Sequence, residues 1–305
     1  MRSAGIGFIK VAAALVAATF ALSACSAGAR DDVAPPTNSA SSTLAVAVVA
    51  PSTLVGAWGA EGPGIPTGTV IAFSMDELTP QLSLSRPGCF LFGGWRTTTG
   101  GLFIGQTSGG QGECPEFAEG SVSSNPLFLQ QARLFGRVAG QLVLATGDGT
   151  VVATLAAGAT PISNPNAVPE LSSIPTLTEA ARVELDTPPT AVANTTSVAP
   201  AQIVGSWRPE KQNNPASFLR FDEPTGRWSS SDGCNGNGGV WGLAASGGSF
   251  LAVGGGQDLI GCNNDDTSSI QGASYAGFDG EVLVFGDKDG KVVGRFIRSP
   301  TPTSS

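Results

Sequence analysis

The chain has 305 residues, with 16 Lys and Arg against 24 Asp and Glu, and it contains no histidine. An acidic chain without a Lys/Arg cluster argues against nucleic acid or anionic lipid headgroups as partners. The missing imidazole removes Ser-His-Asp and Cys-His catalysis, imidazole metal sites and the commonest general base.

Residues 1–24 read as a removable signal. Arg2 and Lys10 form a basic start, and residues 11–22 (VAAALVAATFAL) form an apolar run. That run is shorter than the about 20 residues a spanning helix needs. Leu22-Ser23-Ala24-Cys25 follows and resembles a bacterial lipobox, in which small residues precede a Cys that receives a diacylglyceryl group before cleavage. The resemblance implies that Cys25 is lipidated and opens the mature chain. The anchor would be acyl chains, at about 0.8 kcal/mol per buried methylene. No other segment is apolar enough to span, so the expected location is the extracytoplasmic face of the cell membrane. Without a twin-Arg pair the general secretory route is expected. Loss of Arg2 and Lys10 leaves 14 basic and 24 acidic residues, a net charge of −10. Residues 25–51, rich in Ala, Ser, Thr and Pro, read as the lipidated tether.

Two copies of one domain follow, at 52–156 and 202–298. Leu54-Val55-Gly56-Ala57-Trp58 matches Ile203-Val204-Gly205-Ser206-Trp207. Gly88-Cys89, then Gly93-Gly94-Trp95, parallels Gly233-Cys234, then Gly238-Gly239-Val240-Trp241. Gly140–Leu144 with Asp148–Val152 matches Gly280–Val284 with Asp289–Val293. Within each copy the pattern is β: strands are expected at 69–73, 142–145 and 151–155, and at 217–221, 281–285 and 291–297. Gly147-Asp148-Gly149 and Asp287–Gly290 (DKDG) supply hairpin turns. Leu127–Leu134 reads as a short helix, with a weaker counterpart at 268–275. The fold expected is mainly β, two tandem small antiparallel sheet or barrel domains with about one short helix each. Between them, 157–201 is rich in Pro, Ser and Thr and reads as a semi-extended linker, with a helix over 177–185; 299–305 reads as a tail.

With Cys25 lipidated, Cys89, Cys114, Cys234 and Cys262 remain, 25 and 28 residues apart within the two copies. An even number in an oxidising compartment, placed equivalently in a repeat, predicts Cys89–Cys114 and Cys234–Cys262 bridges. A zinc site would need CxxC pairs or histidines, and the chain has neither. Trp58, Trp95, Trp207 and Trp241 occupy repeated positions and are expected in the core. Trp228 has no counterpart in the first copy and is expected to be partly exposed, lining a binding surface.

The hydrophobic-Gly-x-Trp start, Gly233-Cys234-Asn235 with Gly238-Gly239, a second Cys 28 residues on and the closing strand–Asp-Gly–strand hairpin resemble the META domain family of bacterial envelope proteins. Copy one departs at Phe90, where the Asn would stand, and Gln111 and Leu259 replace a Thr that the family often has. The resemblance implies an antiparallel sheet with a helix and implies no catalytic residue.

Other candidate chemistry is thin. Ser274 misses a G-x-S-x-G elbow by one residue. Asp287–Gly290 lacks the ligands of a calcium loop. Asn263-Asn264-Asp265-Asp266 crowds four oxygen side chains, yet a solvated loop explains it. No cofactor and no metal are expected. The function expected is a non-enzymatic binding or structural module, with an envelope protein, a wall component or a small apolar ligand as partner. The alternative is a hydrolase using carboxylates only, and two close acids in a cleft, one with a raised pKa, would mark it.

Overall fold

The structure is a computed structural model and describes residues 45–76, 79–114, 125–163, 169–223, 226–255 and 270–299. It is mainly β, with two antiparallel sheets. Each module opens in the same way. A Pro-initiated turn, Pro51–Leu54 or Pro200–Ile203, ends in a carbonyl that accepts the indole N–H of the tryptophan four residues on. Trp58 Nε1 reaches Leu54 O at 2.8 Å, and Trp207 Nε1 reaches Ile203 O at 2.7 Å. The intervening Gly56 and Gly205 take φ of +145° and +116°, where a side chain would be strained.

The first module contains β1 (Gly56–Glu61), β2 (Val70–Asp76), β3 (Thr79–Arg86), β4 (Cys89–Thr97) and β5 (Phe103–Gly112). After the helix α1 (Leu127–Gln131) come β6 (Leu134–Val138), β7 (Gln141–Ala145) and β8 (Val151–Ala157). Neighbours in the chain pair as hairpins, and β1 pairs with β8, giving the order β5-β4-β3-β2-β1-β8-β7-β6. The two edges meet at one end only. There Leu102 bridges Leu134, and Phe103 N donates to Arg133 O at 2.8 Å.

The connector carries the helix α2 (Glu179–Asp186) and the short strand β9 (Thr196–Ser197). The turn Pro200–Ile203 is a single helical turn, α3. The second module then repeats the meander with β10 (Gly205–Pro209), β11 (Phe218–Asp222), β12 (Arg227–Ser231), β13 (Gly236–Leu243) and β14 (Gly248–Gly254). It ends with β15 (Tyr275–Asp279), β16 (Val282–Gly286) and β17 (Val292–Arg298). Pairing of β14 with β15 closes this sheet into an eight-stranded barrel, and β9 adds to the outside of β15. The first module receives a matching addition, Ala47 bridging Arg137 of β6.

The interiors are duplicated as well. Phe73 meets Trp95 and Phe103 edge-on at 5.4 and 6.0 Å. Phe221 meets Trp241 and Phe250 edge-on at 5.3 and 6.1 Å, with the same interplanar angles of 72° and 89°. Period-2 alternation puts these rings on the inner face of each sheet, and burial of this much aromatic area dominates the core energetics. The expected helix at 127–134 is present as α1, whereas 270–274 forms turns and Tyr275 already belongs to β15, so the expected counterpart helix is corrected over its described residues.

The connector is not a semi-extended tether. Leu171 O accepts from Ser83 Oγ at 2.9 Å, and Ile162 N donates to Ser85 Oγ at 3.0 Å. Ser83 and Ser85 are thereby buried although they point away from the core of β3. The helix α2 is capped by Thr178, whose Oγ1 accepts from Ala181 N. Its last residue, Asp186, accepts from Ser52 N and Ser52 Oγ at 2.9 and 2.7 Å. Further on, Val192 is buried and Thr195 Oγ1 lies 2.8 Å from the Tyr275 hydroxyl. Composition suggested freedom because it counts apolar side chains. These contacts instead use hydroxyls and backbone groups whose partners are distant in sequence.

This docking sets the protease sensitivity of the connector, in which Arg182 is the one basic residue between 158 and 204. The native protein should resist trypsin at Arg182, while Asp186→Ala, which removes both bonds to Ser52, should expose it. Timed digestion of the two proteins, followed by mass analysis, measures the difference; equal cleavage rates would show that the latch does not hold α2.

The modules also share an apolar seam. Leu102 and Ile104 of the first pack with Val240, Leu251 and Val253 of the second. Independent modules on a loose string, the expectation from composition, are replaced by two modules in contact.

Candidate functional site

Strand alternation decides what happens at the junction. On β4, Trp95 turns inward and donates its indole N–H to Ser74 O at 3.1 Å, so Arg96 must point outward, towards the second module. There Arg96 NH1 donates to Gln271 O at 2.5 Å and Ala273 O at 3.0 Å, and NH2 donates to Ser274 Oγ at 2.9 Å. Its side chain remains partly accessible through a cavity. Loss of water around the guanidinium nevertheless pulls its pKa below the ordinary arginine value, against a smaller upward pull from Glu184.

The cavity has a volume of about 90 Å³ and takes its lining from three parts of the chain. Arg96 and Thr99 come from the first module, Glu184 from α2, and Leu251, Ser274 and Lys288 from the second. Glu184 Oε1 lies 3.0 Å from Lys288 Nζ, so its carboxylate already has a cationic partner. A second, wider groove of about 480 Å³ lies between α1 and β11–β12, with Arg133, Glu223 and Arg227 along it. Arg133 NH1 is bonded to Gln130 O and Ala132 O there. Each site carries two cations and one carboxylate, and the junction cavity is the better candidate because its Arg96 bonds across from one module to the other while its carboxylate is already taken by Lys288.

No family model, curated protein or solved structure matches this chain. The META resemblance therefore rests on the residues alone, and the structure explains what those residues do. In the turn between β12 and β13, Asp232 Oδ1 accepts from Cys234 N and Asn235 N at 2.8 and 2.6 Å, and Oδ2 accepts from Asn235 Nδ2 at 3.0 Å. Asn235 thus locks a turn that presents Cys234. The first module, with Arg86-Pro87-Gly88 before Cys89, makes the turn without that carboxylate.

Cys89 and Cys114 form the expected disulfide, with Cα atoms 5.0 Å apart. Cys234 is disulfide-bonded as well, to a partner outside the described residues. Cys25, Cys262 and the Asn263–Asp266 loop also lie outside them. Trp228 corrects the expectation placed on it. It is 2% exposed, and its indole N–H lies 3.1 Å from Val240 O and 3.3 Å from Val253 O. An unmatched tryptophan is therefore core, because a barrel interior offers an apolar body and a carbonyl together. Asp287 shapes the last hairpin turn by accepting from Asp289 N and Lys291 N. Ser274, weighed as a nucleophile, is a partner of Arg96. Among the described residues no cluster of three or more His, Cys, Asp or Glu is placed to hold a metal, and no helix is long and apolar enough to cross a membrane.

Arg96, Glu184 and Lys288 carried no signal in the sequence. Each is an ordinary charged residue in its own segment, and only the junction brings them together.

The surface carboxylates set the pH response. Asn235 and the turn amides hold Asp232 below its usual range, and Arg295 does the same for Glu210. A carboxylate with a lowered folded-state pKa contributes stability that is complete above its unfolded value and fades as pH falls through the folded value. With no histidine, the midpoint of urea unfolding should stay flat between about pH 5 and 8 and fall below about pH 4. A step near pH 6.5 in such a titration would contradict this assignment.

Proposed function

We propose that the chain is a cell-envelope lipoprotein, anchored through Cys25 on the extracytoplasmic face, whose two META-like modules form a non-enzymatic binding or structural body. The observation that carries the binding reading is the distribution of chemistry. Aromatic rings pack both interiors, while a desolvated cation and an ion pair line a cavity between modules. Binding is therefore assigned to the junction and not to a calyx inside either sheet. A carboxylate hydrolase would want one acid held protonated near neutral pH. Each described carboxylate with a resolved shift moves the other way: Asp148, Glu179, Glu210 and Asp232 are all lowered by hydrogen bonds. This favours the binding reading.

The anchor is tested by Cys25→Ala. The variant should leave the membrane fraction or persist as an uncleaved precursor, and it should not incorporate labelled fatty acid. A variant that still sediments with membranes at the mature mass would refute the anchor.

A further inference from the structure

We propose that the junction cavity binds the carboxylate group of a small organic acid or of a chain end, with Arg96 as the recognising cation. This rests on the binding reading above and deepens it. Arginine has five N–H donors. Three are engaged by Gln271 O, Ala273 O and Ser274 Oγ, and the other two have no partner among the described residues. A desolvated guanidinium without a carboxylate in hydrogen-bonding reach is costly, and a bidentate oxyanion is the group that best satisfies it. Glu184 does not fill that role, because its carboxylate is held by Lys288.

The charges lining the cavity are Arg96, Lys288 and Glu184, an excess of one positive charge that a monoanion balances. Thr99 adds a hydroxyl with no partner among the described residues. The volume of about 90 Å³ is several times the about 10–15 Å³ that one water needs, which leaves room for a planar carboxylate with a short alkyl stub. Met75, Leu185 and Leu251 supply the apolar wall for that stub. A phosphate dianion would leave one negative charge uncompensated. Because the lining comes from both modules and the connector, an occupant would join all three.

The test uses the mature protein in detergent micelles and three probes: sodium acetate, N-acetyl-alanyl-alanine with a free C-terminus, and the same peptide as its amide. Isothermal titration should give millimolar binding of acetate, in keeping with the modest affinity open to so few atoms. Binding of the free peptide as well identifies a chain-end carboxylate; acetate alone identifies a small free acid. Glu184→Gln removes the competing negative charge and should tighten acetate binding about five- to tenfold, while Lys288→Met should weaken it by a similar factor. Opposite changes in two variants with native melting curves separate recognition from mere support of the junction. Equal binding of the amide, or a lack of any acetate binding by folded protein at 100-fold the expected concentration (about 100 mM), overturns the inference. The Cys25→Ala fractionation is independent of that result, so failure here leaves the envelope assignment standing.

Discussion

Phe221→Ala should cost the second module about 3–5 kcal/mol, the range for emptying a large aromatic site in a packed core. Phe221 sits between three other rings, Trp241 at 5.3 Å, Phe250 at 6.1 Å and Phe285 at 6.0 Å, so its neighbours cannot collapse into the space without leaving their own edge contacts. Phe73→Ala should cost the first module a comparable amount, since the Phe73–Trp95–Phe103 geometry is nearly superimposable on the second. Urea unfolding followed by tryptophan fluorescence and circular dichroism measures both. Because Leu102 and Ile104 pack against Val240, Leu251 and Val253, either variant should shift one shared transition. A biphasic curve, with the unmutated module melting at its original midpoint, would show that the seam does not couple the modules.

Loss of the Cys89–Cys114 bond is the second large effect. It closes a sequence separation of 25 residues, and in the loop-entropy account such a crosslink restricts the unfolded chain by about 3–4 kcal/mol. That is a sizeable share of the about 5–15 kcal/mol typical of a folded domain. Cys114→Ala should therefore lower the unfolding midpoint markedly without changing the folded spectrum. Peptide mapping without reductant checks the connectivity directly and extends to Cys234, for which the repeat predicts Cys262. A Cys89–Cys234 crosslink, or four free thiols in the native protein, would contradict the pairing.

Much of each module was legible in the sequence because its causes are local. Short β-prone apolar runs at Val282–Phe285 and Leu142–Ala145, and the Asp-Gly turns after them, specify hairpins within about ten residues of chain. Order kept across two copies exposed the duplication, and with it the Cys89–Cys114 bridge. The Pro-initiated turn and the indole bond that closes it are local too, four residues apart in both copies.

What the sequence could not decide depends on partners far along the chain. No repeated position places Trp228 in the core, which leaves it partly exposed on sequence grounds, yet its indole is satisfied by Val253 O, 25 residues away. The connector's composition lacks apolar mass and points to a semi-extended linker, yet Ser83, Ser85 and Ser52 supply polar partners more than 70 residues distant. The candidate site is the extreme case: Arg96, Glu184 and Lys288 belong to three segments, and nothing in any one of them marks it. Local pattern by itself determined the β class, the closing hairpins with their turns, and the duplication. Only tertiary structure decided that the modules touch, that the connector is docked and that one desolvated guanidinium faces a cavity. Burial and charge balance are properties of what surrounds a side chain, and in this chain those surroundings are assembled from both modules and the segment between them.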